Sequence, residues 1–184
     1  MKKFKSVSES QIEMSLLMTP SHSNFSGKIH GGYILNLMDE IAFACASRHS
    51  GNYCVTASVN RVDFLNPVDV GELLHLKASI NYTGKTSMVV GLRVEAENIR
   101  TGVTKHCNSS YFTMVAKDGS GISMNVPGLI LDTEESIRRF ARSMERQKQL
   151  KIREKTFQPS VFQVEKYYDK LKEFNVNITF EQED

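Results

Sequence analysis

Asp39 stands out because it is a carboxylate within an otherwise apolar segment. The residues from Tyr33 to Ser47 (YILNLMDEIAFACAS) are apolar on every side of a helical wheel, which predicts a helix buried all round. Burying a carboxylate is costly unless it is paired or functional, and burial raises its pKa towards that of a general base. The structural alternatives are a salt bridge to Arg48 or Arg61, or a hydrogen bond from helix to sheet.

The start of this predicted helix is a second candidate for chemistry. His30-Gly31-Gly32 opens it, and the unpaired N–H groups of a first turn can stabilise a developing oxyanion. Gly32 and Asp39 share one helix face but lie about 10 Å apart along the axis. The two act on one substrate only if the helix start bends or a partner chain contributes.

Asn24 lies in the long turn-rich segment TPSHSNFSGKIHGG, residues 19–32, which is too long for a simple connection. Its amide is able to orient a water or donate to an oxygen, and its structural alternative is an Asx turn. His22 and His30 match no common metal-ligand spacing, so no metal site is predicted. No GxSxG motif supports a serine hydrolase.

The sequence Gly84-Lys85-Thr86-Ser87 resembles the end of a phosphate-binding loop but lacks the preceding glycine spacing. It also lies between two predicted strands and does not open a helix. A turn with a lysine, two hydroxyls and free N–H groups suits a dianion, although an ordinary hairpin turn explains it equally well.

The alternation of polar and apolar residues, together with the turn residues, predicts the strands and the helix that must position these groups. Strands are expected at 11–18, 54–64, 73–82, 86–98 and 103–116, with the helix after the first. Polar residues on both faces of 54–64 indicate a strand that lines a site. One helix cannot cover both faces and edges of an antiparallel sheet, so the sequence predicts self-association.

The last third of the chain is different in character. Residues 132–184 hold 11 basic and 11 acidic residues, half of the charges of the whole chain. A helix is predicted after an N-cap at Asp132 or Thr133, with an apolar packing stripe at helical spacing: Ile137, Phe140, Ala141 and Met144. A second amphipathic helix is predicted from Gln158 onward.

Composition excludes several classes of function. With 23 Lys and Arg against 21 Asp and Glu, the net charge of +2 does not favour nucleic acid or an acidic membrane as partner. No apolar run is long enough for a membrane span, and MKKFKSVSES has no apolar core for a secretory signal, so a cytoplasmic protein is expected. Three cysteines without CxxC spacing predict buried, reduced thiols.

The order of strand, loop, long helix and four antiparallel strands resembles the hotdog fold, and three stretches resemble its acyl-CoA thioesterase branch. They are NFSGKIHGGYILNLMDEIAFACASRHSG, VTASVNRVDFLNPVDVGELLHLKASINYTGKTSM and TGVTKHCNSSYFTMVAKD. The resemblance covers residues 11–155 and implies an α+β fold, a curved antiparallel sheet wrapped around a long central helix with a C-terminal helix. The expected division is a core at 1–131, a helix at 132–155 and a charged tail at 156–184.

The resemblance implies roles for particular residues. Asn24 and Asp39 match the family's catalytic asparagine and aspartate, thought to act across a dimer interface, with the Gly32 N–H polarising the thioester carbonyl. The implied contacts to coenzyme A (CoA) come from three places: Thr56, Ala57 and Ser58; Lys85, Thr86 and Ser87; and Arg146. Where Asn60 stands, the family usually has aspartate.

The expected function is hydrolysis of acyl-CoA thioesters to fatty acid and CoA at a site that needs two chains. The family resembled commonly assembles as a trimer of dimers, so a hexamer is expected. No cofactor is expected, because CoA is part of the substrate. The alternatives are a hydratase or dehydratase on the same fold, for which His30 lacks the usual HFPG context, and a non-catalytic acyl-CoA sensor.

Overall fold

The computed structural model describes residues 3–156 and 163–177. The strands are β1 (Phe4–Ser6), β2 (Ile12–Leu17), β3 (Tyr53–Val59), β4 (Leu73–Thr83), β5 (Ser87–Asn98), β6 (Val103–Lys117) and β7 (Gly128–Ile130). The helices are α1 (Gly31–Ser50), α2 (Glu134–Thr156) and α3 (Tyr168–Leu171). No helix in the described part of the chain has the length and apolar character needed to span a membrane.

Five strands form one antiparallel sheet in the order β2-β4-β5-β6-β3, with α1 packed on one face. The core between them contains alternate residues of the strands and one side of the helix. Its largest fully buried side chains include Phe112, Met38, Ile34, Leu74, Leu76 and Met114. Gly51 ends α1 in the left-handed region at φ 71°, where glycine carries no steric penalty.

The predicted strand at 54–64 is too long. β3 ends at Val59, and the following residues run along β6 outside regular strand structure. Backbone bonds hold this segment: the N–H of Asn60 donates to the Tyr111 carbonyl (3.1 Å), and that of Leu65 to the Cys107 carbonyl (2.8 Å). The alternating pattern of the sequence continues to Phe64, although regular strand pairing with β6 stops at Val59.

The prediction that α1 is buried on every side is wrong for the single chain. One stripe of the helix remains open, at Gly32, Asn36, Asp39, Glu40 and Phe43. These positions recur every three to four residues and so share one face. We call them the open face of α1.

A short parallel pair, β1 with β7, was not predicted from the sequence. It is joined to the end of α1 by His49, which is fully buried. His49 Nδ1 lies 3.1 Å from Ser10 Oγ, and its Nε2 lies 3.0 Å from the Pro127 carbonyl oxygen. The carbonyl can only accept, so Nε2 carries the proton and Nδ1 accepts from Ser10 in the neutral ring.

His49 is expected to make folding sensitive to mild acid. Burial lowers the pKa of the His49 imidazole below its ordinary value of 6.5. Protonation therefore favours the unfolded chain: the stabilisation is complete above about pH 6.5 and is lost as pH falls below it. Between pH 7.5 and pH 5.5, the unfolding free energy measured with urea should fall more for the wild type than for His49→Gln. Equal losses would contradict this.

Helix α2 begins as predicted, with Thr133 as the N-cap. Thr133 Oγ1 accepts from the Ser136 N–H, and Ser136 Oγ accepts from the Thr133 N–H, both at 3.1 Å. This reciprocal pair is a capping box with serine at the third position.

The prediction of an apolar packing stripe on α2 is largely wrong. Ile137 and Met144 are exposed, whereas Ser136 and Ser143 are buried. Phe140 is the member of the stripe that packs, with its ring 5.0 Å from that of Tyr82. Ser136 and Ser143 thus lie on the inward face of the helix together with Phe140, whereas Ile137 and Met144 point outward.

The chain divides into two units, Met1–Met144 and Glu145–Asp184. The second contains the end of α2 and the described residues 163–177, with a 3-10 turn at Val164–Tyr167 followed by α3. The predicted helix from Gln158 and the predicted tail at 156–184 lie partly outside the described residues, since 157–162 and 178–184 are not described. The division at 131 and 155 stays a prediction.

Gly91 is the glycine with the closest neighbour. A Cβ built there would lie 2.0 Å from Asn81 Nδ2, and Asn81 is 5% exposed and accepts a hydrogen bond from Ser79. Gly91→Ala is expected to lower the unfolding free energy by about 1–3 kcal/mol through overpacking. Gly119→Ala is the control, because nothing lies within 4 Å there.

Urea unfolding of both variants measures this effect. Combining Gly91→Ala with Asn81→Ala removes the clash, so the double variant should recover part of the loss. An unfolding free energy for Gly91→Ala equal to that of Gly119→Ala would contradict the steric account.

Candidate active site

Asp39 lies on the open face of α1, where a strand side chain holds one of its oxygens. The Thr56 hydroxyl donates to Asp39 Oδ1 at 2.5 Å. Of the three structural alternatives, the structure shows the hydrogen bond from helix to sheet. Arg61 pairs with Asp63 at 2.8 Å, and Arg48 donates to the Gln11 carbonyl. The carboxylate is thus oriented without a cation, and Oδ2 has no partner among the described residues.

Thr56 occupies an irregular point on an edge strand. Among the described strands, β3 pairs only with β6. Its register shifts between Thr56 and Ser58, so that Ala57 is an extra residue of a bulge. Thr56, Ala57 and Ser58 are all exposed. Bulges at sheet edges re-aim side chains, and here the bulge adjoins the hydroxyl that contacts Asp39.

The first turn of α1 offers unpaired N–H donors. The N–H groups of Tyr33 and Ile34 both donate to the His30 carbonyl, at 3.1 and 3.2 Å, and no side chain caps the helix. The N–H groups of Gly31 and Gly32 have no partner in the part of the chain that the structure describes. The Tyr33 N–H is therefore already engaged within the helix and is less available to a substrate oxygen than that of Gly32.

The two glycines differ in their surroundings. A Cβ on Gly31 would lie 3.1 Å from the Phe64 ring, whereas one on Gly32 would meet nothing within 4 Å. Gly31 thus allows close packing under the helix start, and Gly32 presents its N–H beside open space. A carbonyl oxygen placed there also receives the positive end of the helix dipole.

Asn24 forms the Asx turn expected as its structural alternative, and this turn leaves its amide nitrogen available. Asn24 Oδ1 accepts from the N–H of Ser26 (3.0 Å), the hydroxyl of Ser26 (2.7 Å) and the N–H of Lys28 (3.1 Å). Three donors on one oxygen fix the amide orientation. Nδ2 then points away from the turn, with no hydrogen-bond partner in the described chain.

Of the two histidines of this loop, His22 packs through its ring, whereas His30 is exposed and bonds through its backbone. The His22 ring stacks on Tyr33, with centroids 3.8 Å apart, and its Nδ1 lies 3.1 Å from Thr19 Oγ1. The His30 N–H donates to the His22 carbonyl. Across residues 3–156 and 163–177, no three His, Cys, Asp or Glu side chains group together as a metal site would require.

The three cysteines are buried free thiols, as predicted. Burial raises the pKa of Cys45 to about 12 and that of Cys107 to about 11. Neither Cys45 nor Cys107 forms a thiolate near neutral pH, so neither of these two is a candidate nucleophile.

The chain is similar to proteins of one enzyme family. Residues 26–103 match the model of the thioesterase superfamily. Protein VdlD of Helicobacter pylori is 44% identical over 133 residues, covering 72% of this chain and 76% of that protein. A hexameric acyl-CoA thioesterase, solved in its apo form, is 36% identical with a TM-score of 0.80, over 83% of this chain and 97% of its own. The chain belongs to the acyl-CoA hydrolase family of the thioesterase superfamily.

A further relative of this hydrolase is the acyl-CoA hydrolase of Staphylococcus aureus, 31% identical with a TM-score of 0.75 over 83% of this chain and 95% of its own. It was solved with butyryl-CoA, CoA and CoA disulfide. It was also solved as alanine variants at one asparagine, one aspartate and one threonine. These neighbours confirm the predicted hotdog fold.

The turn between β4 and β5 holds the predicted phosphate-contacting residues of this hydrolase. The carbonyls of Lys85 and Thr86 accept from the N–H groups of Val126 (3.1 Å) and Ala116 (3.0 Å), and the Gly84 N–H donates to the Ser87 carbonyl (2.8 Å). The turn is thus fixed on both sides. The exposed Lys85 ammonium makes no ion pair with any described residue.

The structure does not bring all predicted residues together. Thr56 contacts Asp39, but Asn24 and Asp39 make no hydrogen bond with each other within one chain. Arg146 lies on α2 in the second unit, and its predicted contact with CoA stays a prediction.

Sequence reasoning missed two features of the site. The bond between Thr56 and Asp39 was not predicted, although both residues were singled out separately. An ion cluster beside the Asn24 loop, formed by Lys28, Asp69, Glu72 and Lys105, was also missed. The available signal was the pair of acidic residues in PVDVGE, which follows directly after the predicted site strand.

Proposed function

We propose that this chain hydrolyses acyl-CoA thioesters to the free fatty acid and CoA. The observation that carries the proposal is the Asp39 carboxylate on α1, which the Thr56 hydroxyl of β3 orients. The first turn of α1 also presents the Gly32 N–H beside open space. A base and an oxyanion donor are the two groups that hydrolysis of a thioester needs. The relatives named acyl-CoA hydrolases support the substrate class.

Residue spacing supports the assignment of the catalytic groups. In the Staphylococcus aureus hydrolase, the asparagine, aspartate and threonine replaced by alanine are separated by fifteen and seventeen residues. Asn24, Asp39 and Thr56 have the same order and the same two separations. We infer that these three residues correspond, and Thr56 thereby gains a role beyond contact with CoA.

In the proposed mechanism, Asp39 removes a proton from water, and the resulting hydroxide attacks the thioester carbonyl carbon. The Gly32 N–H of the chain that supplies Asn24 donates to the carbonyl oxygen as it becomes an oxyanion, because Gly32 and Asp39 of one chain lie about 10 Å apart along the helix. This donor lowers the barrier by about 3 kcal/mol. The Asn24 amide positions the water or the thioester. The tetrahedral intermediate then breaks its C–S bond, and the CoA sulfur takes the proton back from Asp39.

A second route uses the same residues. Asp39 attacks the thioester carbon itself, releases CoA and forms an anhydride, which water then hydrolyses. The hydrogen bond from Thr56 orients the carboxylate in either case. Both routes yield the same products and need no cofactor beyond the substrate.

We propose that CoA lies along the exposed bulge of β3 and the β4–β5 turn. Thr56, Ala57 and Ser58 supply a free strand edge, and Lys85 with Thr86 and Ser87 supplies a cation and hydroxyls for phosphates. Arg146 is proposed as a further phosphate contact.

We propose that the working unit is a dimer in a cytoplasmic trimer of dimers, with Asn24 of one chain facing Asp39 of the other. Three observations support a two-chain site: the unpaired edge of β3, the open face of α1, and Phe25, fully exposed beside Asn24. Aromatic side chains are enriched at protein interfaces relative to the rest of the surface. The hexameric relative supports the assembly.

Product analysis separates hydrolysis from the alternatives. Mass spectrometry after incubation with saturated and 2-enoyl-CoA substrates should show free acid and CoA from both. A hydratase would instead give 3-hydroxyacyl-CoA, and a sensor would bind acyl-CoA without releasing products. No observation favours the hydratase, since the exposed His30 makes no contact with a carboxylate among the described residues.

A further inference from the structure

The backbone of Lys28 closes the turn that fixes Asn24. The Asn24 N–H donates to the Lys28 carbonyl at 2.7 Å, and the Lys28 N–H donates to Asn24 Oδ1 at 3.1 Å. The position of Lys28 therefore determines both where Asn24 lies and how its amide is turned.

The side chain of Lys28 ties this turn to the sheet through the loop-anchoring cluster of Lys28, Asp69, Glu72 and Lys105. Lys28 Nζ binds Asp69 Oδ1, and Lys105 Nζ binds Asp69 Oδ2 at 3.0 Å and Glu72 Oε1 at 2.9 Å. The second Glu72 oxygen accepts from the Asp69 N–H at 2.8 Å. Each carboxylate oxygen in the cluster has a donor.

Lys28 is held by its backbone as well as its ammonium. Lys28 and Asp69 form an isolated antiparallel bridge, and the N–H of the next residue, Ile29, donates to the Val68 carbonyl at 2.9 Å. The Asn24 turn therefore rests on a segment, 68–72, that leads directly into β4.

Because these side chains are partly exposed, we expect the cluster to affect the Asn24 turn more than the stability of the whole chain. The side chains of Lys28 and Asp69 are 43% and 39% exposed, and such pairs add only about 0–1 kcal/mol to global stability. Hydrogen bonds from Lys28 and Lys105 hold the pKa of Asp69 below its usual range, so its carboxylate is charged at neutral pH. The pair therefore contributes little to global stability.

We propose that Lys28 and Asp69 are positioning residues, which hold the Asn24 turn so that the Asn24 amide nitrogen faces the substrate. This rests on the proposed function, in which Asn24 contacts water or the thioester. Neither Lys28 nor Asp69 touches the reacting atoms.

The test compares Lys28→Met with Lys77→Met. Lys77 is a matched control, because its side chain is also 43% exposed and its ammonium pairs with Glu95 at 2.8 Å, on the sheet and not in the Asn24 loop. Lys28→Met should lower kcat about tenfold, with KM within twofold and Tm unchanged, because misplacement affects the reacting geometry. Lys28→Arg should restore most of kcat, and Lys77→Met should leave it unchanged.

A double-variant cycle shows whether Lys28 acts through Asn24. In an Asn24→Ala background, Lys28→Met should change kcat by less than twofold, since residues that act as a unit are not additive. A full tenfold loss in that background, or no loss in the wild type, would overturn the proposal.

Hydrogen exchange tests the positioning independently of turnover. Amides of residues 24–29 should exchange about tenfold faster in Lys28→Met than in the wild type or Lys77→Met, because the turn opens more often. Unchanged exchange would overturn the positioning role even if the protein hydrolyses acyl-CoA. Faster exchange in a protein without hydrolase activity would leave positioning intact and contradict the proposed function.

Discussion

Asp39→Ala is expected to lower kcat for acyl-CoA hydrolysis by about 10²–10⁴-fold, the usual contribution of a general base. In the proposed mechanism no other carboxylate on the open face of α1 is held by a strand hydroxyl, since Glu40 bonds to Asn36 on the same helix. Folding and CoA binding should be retained, because Asp39 is exposed and contributes no ion pair to the core.

Glu40→Ala is the matched control for this variant. Glu40 is an exposed carboxylate adjacent in sequence on the same helix, so its loss changes the local charge equally. Steady-state thiol release, with circular dichroism and calorimetric CoA binding, should show a defect in turnover for Asp39→Ala alone. Turnover near that of the wild type would remove Asp39 from the mechanism.

Asn24→Ala is expected to lower kcat by about 10²-fold, because the amide that positions the reacting atoms is lost. Its turn would also lose the acceptor for Ser26 and Lys28. Kinetics across substrate concentrations should show most of the loss in kcat. Activity within twofold of the wild type would mean that Asn24 has only the Asx-turn role.

Mixing the two inactive variants tests whether one site uses two chains. If Asn24 of one chain serves Asp39 of the other, refolding equal amounts of Asn24→Ala and Asp39→Ala produces mixed dimers with one intact site. Random pairing should then restore about a quarter of wild-type activity. A site contained in one chain would give no recovery, since each chain would carry one defect.

Most of the main sheet and its helix could be predicted because periodicity reflects burial. The hairpin strands β4, β5 and β6 are separated by turns at Gly84 and Gly102, and their predicted ends lie within one residue of those observed. The end of β3 could not be predicted, because residues 60–64 keep an alternating pattern while bonding irregularly to β6. β1 and β7 are three residues each, too short for a periodic signal.

The open face of α1 shows why burial on one chain could not be predicted from an apolar helix. An apolar residue in the sequence is compatible with burial by its own chain or by another chain. The structure of one chain shows only the contacts within that chain. Phe43, 38% exposed and edge-to-face with Tyr53, illustrates the difference. The same reasoning applies to Ile137 and Met144 on α2, which keep helical spacing but face outward.

The candidate residues of the site could be named from the sequence, but their contacts could not. Asp39 drew attention through its apolar surroundings and Thr56 through the polar strand, yet only the fold brings the two within 2.5 Å. The loop-anchoring cluster joins Lys28 to Asp69 across 41 residues, a pairing that depends on where segment 68–72 lies and has no local pattern.

Thiol release measures directly whether this chain uses Asp39 to hydrolyse acyl-CoA. Wild-type protein, Asp39→Ala and Glu40→Ala should be assayed side by side with a disulfide reagent on acyl-CoAs from acetyl to palmitoyl. We expect CoA release by the wild type and Glu40→Ala on at least one chain length, and release about 10²–10⁴-fold slower by Asp39→Ala. Absence of release by the wild type on every substrate, or equal release by Asp39→Ala, would contradict this expectation.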